Sequence, residues 1–208
     1  MSDTLGLFEP AAVLETIPMI DADMKFMHGF YRQPLSGQYM NILLREIAWR
    51  QETIRVWDKQ YLQPRLSAWY GDAGMRYTYS GMTLEPNAWT ATLLQIREDI
   101  ERASSARFNS VLINLYRNEH DSVGWHSDNE AEFGDKPVIA SLSLGQTRVF
   151  KLRHKHRKDQ KRVALELTDG SLLLMAGTTQ KYWQHTIEKE RHPCGPRINL
   201  TFRNIVLP

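Results

Sequence analysis

Trp125-His126-Ser127-Asp128 places an imidazole and a carboxylate two residues apart, and a further histidine, His185, follows 57 residues after Asp128. In extended chain, side chains at i and i+2 leave the backbone on the same side, so His126 and Asp128 can reach one ion while a later strand supplies His185. Two histidines and one carboxylate on one face of a metal form the facial triad of non-haem Fe(II) oxygenases, which leaves coordination positions open. Those positions accept a bidentate 2-oxo acid and then dioxygen. An HxD pair alone is a weak signal. His28, His120, His154, His156 and His192 are read as ordinary surface or core histidines.

A second constellation follows His185 by 12 to 18 residues. In Arg197-Ile198-Asn199-Leu200-Thr201-Phe202-Arg203 three apolar residues alternate with four polar ones. Alternation across a strand puts Ile198, Leu200 and Phe202 on one face and Arg197, Asn199, Thr201 and Arg203 on the other. A strand with its polar face in water is the ordinary reading. In a barrel or jelly roll the same face points inward and lines a cavity, where two planar guanidinium forks suit a small dicarboxylate.

These residues need strands to hold them, and from Phe108 onward the pattern supplies them. Ser110–Arg117, Val138–Leu144, Arg148–Leu152, Val163–Leu167, Ser171–Met175, Trp183–Ile187 and Arg197–Val206 read as short strands, with a tight turn at Asp169-Gly170. Such a series argues for a sandwich, jelly roll or barrel. Before residue 108 the chain is mixed. Gln38–Gln51 and Trp89–Ala103 carry apolar residues at helical spacing, with Pro86 and Asn87 where the second helix should start. The two helices are expected to cover an outer face of the sheet.

The chain has 208 residues, 42% of them apolar, which fits one compact domain with a core large enough to fold without staples. Its one cysteine, Cys194, cannot close an internal bridge and excludes thiolate-rich zinc schemes. A reducing compartment is expected. Asp3, Glu9 and Glu15 near the first residue and the absence of a long apolar run argue against secretion and membrane insertion. The net charge of +2 conceals a local excess. Lys151–Arg162 (KLRHKHRKDQKR) holds seven Lys/Arg and one acid, leaving 19 basic and 23 acidic side chains elsewhere, a net of −4. Such a cluster attracts polyanions, nucleic acid first among them, unless it is simply a solvated hairpin tip.

Taken together, four stretches resemble the AlkB family of Fe(II)/2-oxoglutarate-dependent nucleic-acid repair dioxygenases, most closely the homologues acting on duplex DNA. They are YGDAGMRYTYSGM (Tyr70–Met82), NLYRNEHDSVGWHSDNE (Asn114–Glu130), IASLSLG (Ile139–Gly145) and the RxNxTFR strand. The resemblance runs from about Val56 to the last residue. It implies an α+β fold built on a double-stranded β-helix (jelly roll), with helices packed on one outer face. Residues 1–107 would carry helices and a nucleotide-recognition lip, and 108–208 the jelly-roll core, all in one domain.

By this resemblance Fe(II) would be held by His126, Asp128 and His185, the catalytic centre. Arg197 would pair with the distal carboxylate of the co-substrate 2-oxoglutarate, and Arg203 would lie near its other end. Asn114, Tyr116, Asn199 and Thr201 match further co-substrate contacts. Tyr77 and Tyr79 match the lip around an extruded base, Asn129 and Glu130 its base-edge readers, and Trp57 the finger that enters the base stack. Asn129 stands where relatives often carry an acid. The implied reaction consumes O2 and 2-oxoglutarate and demethylates bases such as 1-methyladenine or 3-methylcytosine, releasing formaldehyde, succinate and CO2. The implied partner is alkylated DNA, duplex or single-stranded, for a monomer that binds no membrane and works in the cytoplasm, at the nucleoid or in the nucleus. Two alternatives remain open: a related dioxygenase acting on RNA or protein, and a nucleic-acid-binding module with a vestigial metal site.

Overall fold

The computed structural model describes residues 13–56, 59–75, 77–79 and 82–206, with side chains described outside 54–59 and 76–84. In chain order the elements are β1 (Glu15–Ile17), β2 (Asp23–Met27), α1 (Leu35–Glu46), β3 (Thr53–Val56), β4 (Lys59–Leu62), β5 (Leu66–Gly71), β6 (Tyr77–Tyr79), β7 (Met82–Leu84) and α2 (Ala91–Ser104). They continue with β8 (Ser110–Tyr116), β9 (Val123–His126), β10 (Ile139–Gly145), β11 (Arg148–His154), β12 (Val163–Leu167), β13 (Leu172–Ala176), α3 (Thr179–Tyr182), β14 (Trp183–Ile187) and β15 (Arg197–Arg203).

Two sheets face each other. The larger has the order β1-β2-β13-β10-β15-β8-β5 and the smaller β12-β11-β14-β9. Every pairing within them is antiparallel. The hairpins β3-β4 and β6-β7 stand apart as two-stranded ribbons.

The alternation of β15 decides what each face of the large sheet does. Leu200 and Phe202 share one buried cluster with Leu142 and Leu144 of β10, Leu43 of α1, and Leu93, Ile96 and Ile100 of α2. Between the sheets a second cluster joins Leu173 and Met175 of β13 to Phe150 and Leu152 of β11 and Ile187 of β14. All seven residues of β15 are buried, so its polar face is not in water. Hydrogen bonds must therefore be found for that face inside the protein.

Three expectations are corrected. Helix α1 starts earlier than the apolar spacing predicts and stops at Glu46, because Arg50 leaves the helix to exchange both backbone hydrogen bonds with Ser67, at 3.0 and 2.8 Å. The cap of α2 is Thr90, whose hydroxyl accepts from Leu93 N at 3.2 Å. Asn87 is occupied on β5, its N–H and its side-chain amide both donating to Trp69 O at 2.9 Å. Finally, β1, β2 and β5 join the large sheet, so it draws strands from both sides of residue 108. Buried Met24 and Phe26 alternating with exposed Lys25 in β2 show the usual strand pattern, in a piece too short to stand out.

The Asp169-Gly170 turn is present and demands its glycine. Gly170 has φ +68, and a Cβ there would sit 1.7 Å from Tyr31 O. Among the described residues no helix is long and apolar enough to cross a membrane.

Candidate metal and co-substrate site

Between the sheets lies a cavity of about 390 Å³, lined by both constellations read from the sequence. On β9 and β14, His126 and His185 are direct cross-strand partners, so the ladder itself sets the two rings side by side. Their Nε2 atoms are 3.2 Å apart and Asp128 Oδ2 lies 3.8 Å from His185 Nε2. The ligand atoms of the three residues all fall within 4.8 Å of one another, a spacing that can hold one metal ion. The turn carrying Asp128 is pinned by Ser127 Oγ donating to Trp183 O at 2.7 Å and by Asp128 N donating to Gln180 Oε1 at 3.0 Å.

The donor set fits a divalent cation. His126 Nδ1 lies 2.8 Å from Gly124 O, which can only accept; the proton is thus assigned to Nδ1, and the lone pair of Nε2 faces the site. Burial pushes the His185 imidazole down to about 3, which keeps it neutral. Burial by itself would raise the Asp128 carboxyl, but the charge and hydrogen bond of the Arg203 guanidinium act against it, and the group stays below the usual carboxylate range. Two neutral imidazoles and one carboxylate, packed closer than repulsion between their lone pairs favours, suit iron with open positions left over.

Deeper in the cavity, β15 presents its polar face. Arg203 Nη2 is 2.6 Å from Asp128 Oδ1 in a buried ion pair. Arg197 is 1% exposed and donates through Nη2 to Ser143 Oγ at 2.9 Å, yet its Nε and Nη1 have no hydrogen-bond partner. Burial pushes this guanidinium down to about 10, with Tyr116 acting in the opposite direction. A buried cation with two idle donors is costly. A carboxylate entering the cavity would give this guanidinium the acceptor it lacks, so the residues present fit an organic-acid co-substrate.

The register brings Tyr116 and Asn114 of β8 opposite Arg197 and Asn199. Asn199 donates to Ser141 Oγ at 2.7 Å and accepts from Thr201 Oγ1 at 3.2 Å, so these two form a fixed wall. Asn114 Oδ1 accepts from Arg65 Nε at 2.9 Å. Arg65, Gln180 and Ser143 are site residues that the motif reading missed. Arg65 carried a faint signal in its Pro64-Arg65 pair and Ser143 in the IASLSLG stretch, whereas Gln180 carried none.

The residues expected to meet substrate are placed unevenly. Glu130 lines the cavity together with Glu52 and Gln63, whereas Asn129 is exposed and is not among the lining residues. The backbone of Tyr77 and Tyr79 forms β6, paired with β7; their side chains, and Trp57 altogether, lie outside the described residues. In the basic segment, Arg153 bonds Gln184 Oε1, and Lys155 Nζ donates to Gln180 O at 2.8 Å. Burial pushes the Lys155 ammonium down. Arg157 pairs with Asp159 at 3.1 Å in the open.

Two facing sheets, a His-Asp-His cluster and a buried guanidinium awaiting an acid define a metal-dependent oxygenase architecture that takes an organic acid as co-substrate. The 2OG-Fe(II) oxygenase superfamily matches residues 23–203, and the chain belongs to that superfamily, in its AlkB branch. It is 48% identical over 185 residues to the alpha-ketoglutarate-dependent dioxygenase alkB homolog 3 of Bos taurus, covering 85% of this chain and 64% of that protein. It is 41% identical over 160 residues to the DNA oxidative demethylase ALKBH2 of Homo sapiens, covering 74% and 61%. The chain thus spans less than two thirds of the length of these relatives. Among solved structures, that of OsALKBH1 superposes with a TM-score of 0.60 at 15% identity, over 92% of this chain and 99% of that one. A 2OG-Fe(II) oxygenase family oxidoreductase from Burkholderia pseudomallei gives 0.55 at 11%, over 86% and 84%. Both share the jelly-roll fold. The superfamily uses Fe(II), 2-oxoglutarate and O2.

Proposed function

We propose that this chain is an Fe(II)- and 2-oxoglutarate-dependent oxidative demethylase of N-alkylated DNA bases, 1-methyladenine and 3-methylcytosine among them. The observation that carries it is the buried Arg197 with two idle nitrogens in the same cavity as the His126, Asp128 and His185 cluster. The substrate class is supported by the names of the relatives and by the basic hairpin between β11 and β12. In this reading the whole chain is one oxygenase domain, with α1 and α2 covering the outer face of the large sheet. Their share in the Leu200 and Phe202 cluster supports that arrangement.

Bound by His126, Asp128 and His185, iron would supply the oxidation of the N-alkyl carbon, with O2 and 2-oxoglutarate consumed and formaldehyde, succinate and CO2 released. The protein's part is placement. Arg203 keeps Asp128 ionised and aimed; Arg197, with Tyr116, takes the distal carboxylate of the co-substrate. Asn114 and Arg65 line the same wall. Asn199 and Thr201 stiffen it. Glu130 and Glu52 give the cavity a negative rim, suited to the positive charge of a base methylated on a ring nitrogen. Asn129, exposed beside Glu130, is assigned to the flanking nucleotide, and Tyr77 and Tyr79 to the face of the extruded base. Trp57 is assigned to the gap left in a duplex. Trp57→Ala should then lose far more activity on methylated duplex than on single strands, and equal losses would remove that assignment.

The deciding experiment measures formaldehyde and succinate release in parallel with methylated DNA, methylated RNA and no substrate. Release with DNA above the other two supports the reading. Release with RNA alone would transfer the substrate class to RNA.

A further inference from the structure

Strand β9 is short and lies at the edge of the smaller sheet, yet it carries His126. Its ladder to β14 consists of two partner pairs, His185 with His126 and Ile187 with Val123, with a register irregularity between them. Such a ladder pairs the two histidines but gives β9 few backbone bonds to keep it in place. Two side-chain bonds help: Thr186 Oγ1 donates to Val123 O at 2.6 Å and Ser127 Oγ to Trp183 O at 2.7 Å. Both act at the ends of the pairing. A third device acts beside the ligands.

Because side chains alternate across a strand, the residues immediately before the two histidines project to the opposite face from them. Those residues are Trp125 and Gln184. One guanidinium joins them. Arg153 of β11 donates through Nε and Nη2 to Gln184 Oε1, at 3.0 and 2.9 Å, and its guanidinium carbon lies 4.4 Å from the centre of the Trp125 ring. A planar group that both bonds in its plane and stacks on its face suits this double contact; an ammonium cannot make it.

We propose that Arg153 is a positioning residue for the metal centre, holding from the outer face of the smaller sheet the two strands that bring His126 and His185 together. This rests on the metal-centre reading above and deepens it. It also separates Arg153 from Arg157, Lys158 and Lys161 of the basic segment, which are exposed. Arg162 provides the internal control: its guanidinium lies 5.7 Å from the same Trp125 ring, without a hydrogen bond to β14 among the described residues.

The test is Co(II) titration of the purified protein, without nucleic acid or co-substrate, followed by the visible absorption of the bound ion. Support around metal ligands typically governs affinity by 10- to 100-fold. Arg153→Met should weaken Co(II) binding about tenfold or more and alter its spectrum, Arg153→Lys should not restore it, and Arg162→Gln should match the parent. Gln184→Leu, which removes only the acceptor, should repeat the loss and serves if Arg153→Met fails to fold. Parental Co(II) affinity and spectrum in Arg153→Met or in Gln184→Leu overturns the proposal. If the parent takes up no Co(II), or His126→Ala takes it up equally well, the metal-centre reading falls and this one with it; loss in His126→Ala alone overturns only the role of Arg153.

Discussion

Strand β15 and the Lys151–Arg162 hairpin are both rich in arginine, and they use it in opposite ways. In β15 both guanidiniums are buried: Arg203 faces Asp128, and Arg197 keeps two nitrogens unpartnered in the cavity. Of the seven basic side chains in the hairpin segment, Arg153 and Lys155 turn onto the protein, while Arg157 and Lys158 are exposed. Burial sets the stakes. An exposed ion pair contributes about 0–1 kcal/mol, whereas breaking a buried one costs about 3–5 kcal/mol. A ligand that completes a buried, underused cation gains on the same large scale. The hairpin can offer only many weak, salt-sensitive contacts.

The largest effects should come from the buried pair. His126→Ala and Asp128→Ala should both abolish turnover, but they should differ in stability. Asp128→Ala removes the carboxylate from Arg203 and should destabilise the protein by about 3–5 kcal/mol, while the partly exposed His126 should cost little. Thermal melts of the two metal-free variants check this. Equal melting temperatures would mean that the Arg203–Asp128 pair contributes nothing to folding, and the contrast between the two segments would break.

Arg197→Leu comes next. Losing a charge-assisted fork worth about 2–5 kcal/mol should raise the 2-oxoglutarate requirement roughly 30-fold to several thousandfold. Without co-substrate the variant should melt no lower than the parent, because an incompletely satisfied buried cation has been replaced by an apolar side chain. Co-substrate titration and a ligand-free melt are the two measurements. A parental titration curve would move the acid-binding position elsewhere in the cavity.

The smallest effect belongs to the hairpin. Arg157→Gln with Lys158→Gln should change stability by less than about 0.5 kcal/mol. The pair should flatten the salt dependence of duplex DNA binding by up to about 0.9 for each phosphate that is no longer neutralised. An unchanged slope would make the segment a solvated tip. Adding Arg153→Gln and Lys155→Gln should weaken binding only slightly further, since both side chains are already engaged.

Much of this molecule was legible in its residues. Alternation is a local property, so RINLTFR announced a strand with one apolar and one polar face, and the HxD spacing announced an imidazole and a carboxylate on one side. The strand series after residue 108 was readable for the same reason. Sequence did not reveal which polar face would be dry, because that depends on the opposing sheet. Nor did it show that Arg203 would meet Asp128, 75 residues away, that Gln180 would hold the Asp128 turn, or that Arg153 would leave the basic cluster to clamp Trp125 and Gln184. Helix α1 ended early for a similar reason: Arg50 found a cross-strand partner in Ser67 that no helical spacing encodes. Residue type and spacing determined the available chemistry. Tertiary structure decided which charges lost their water, and with it which of them are left to bind a ligand.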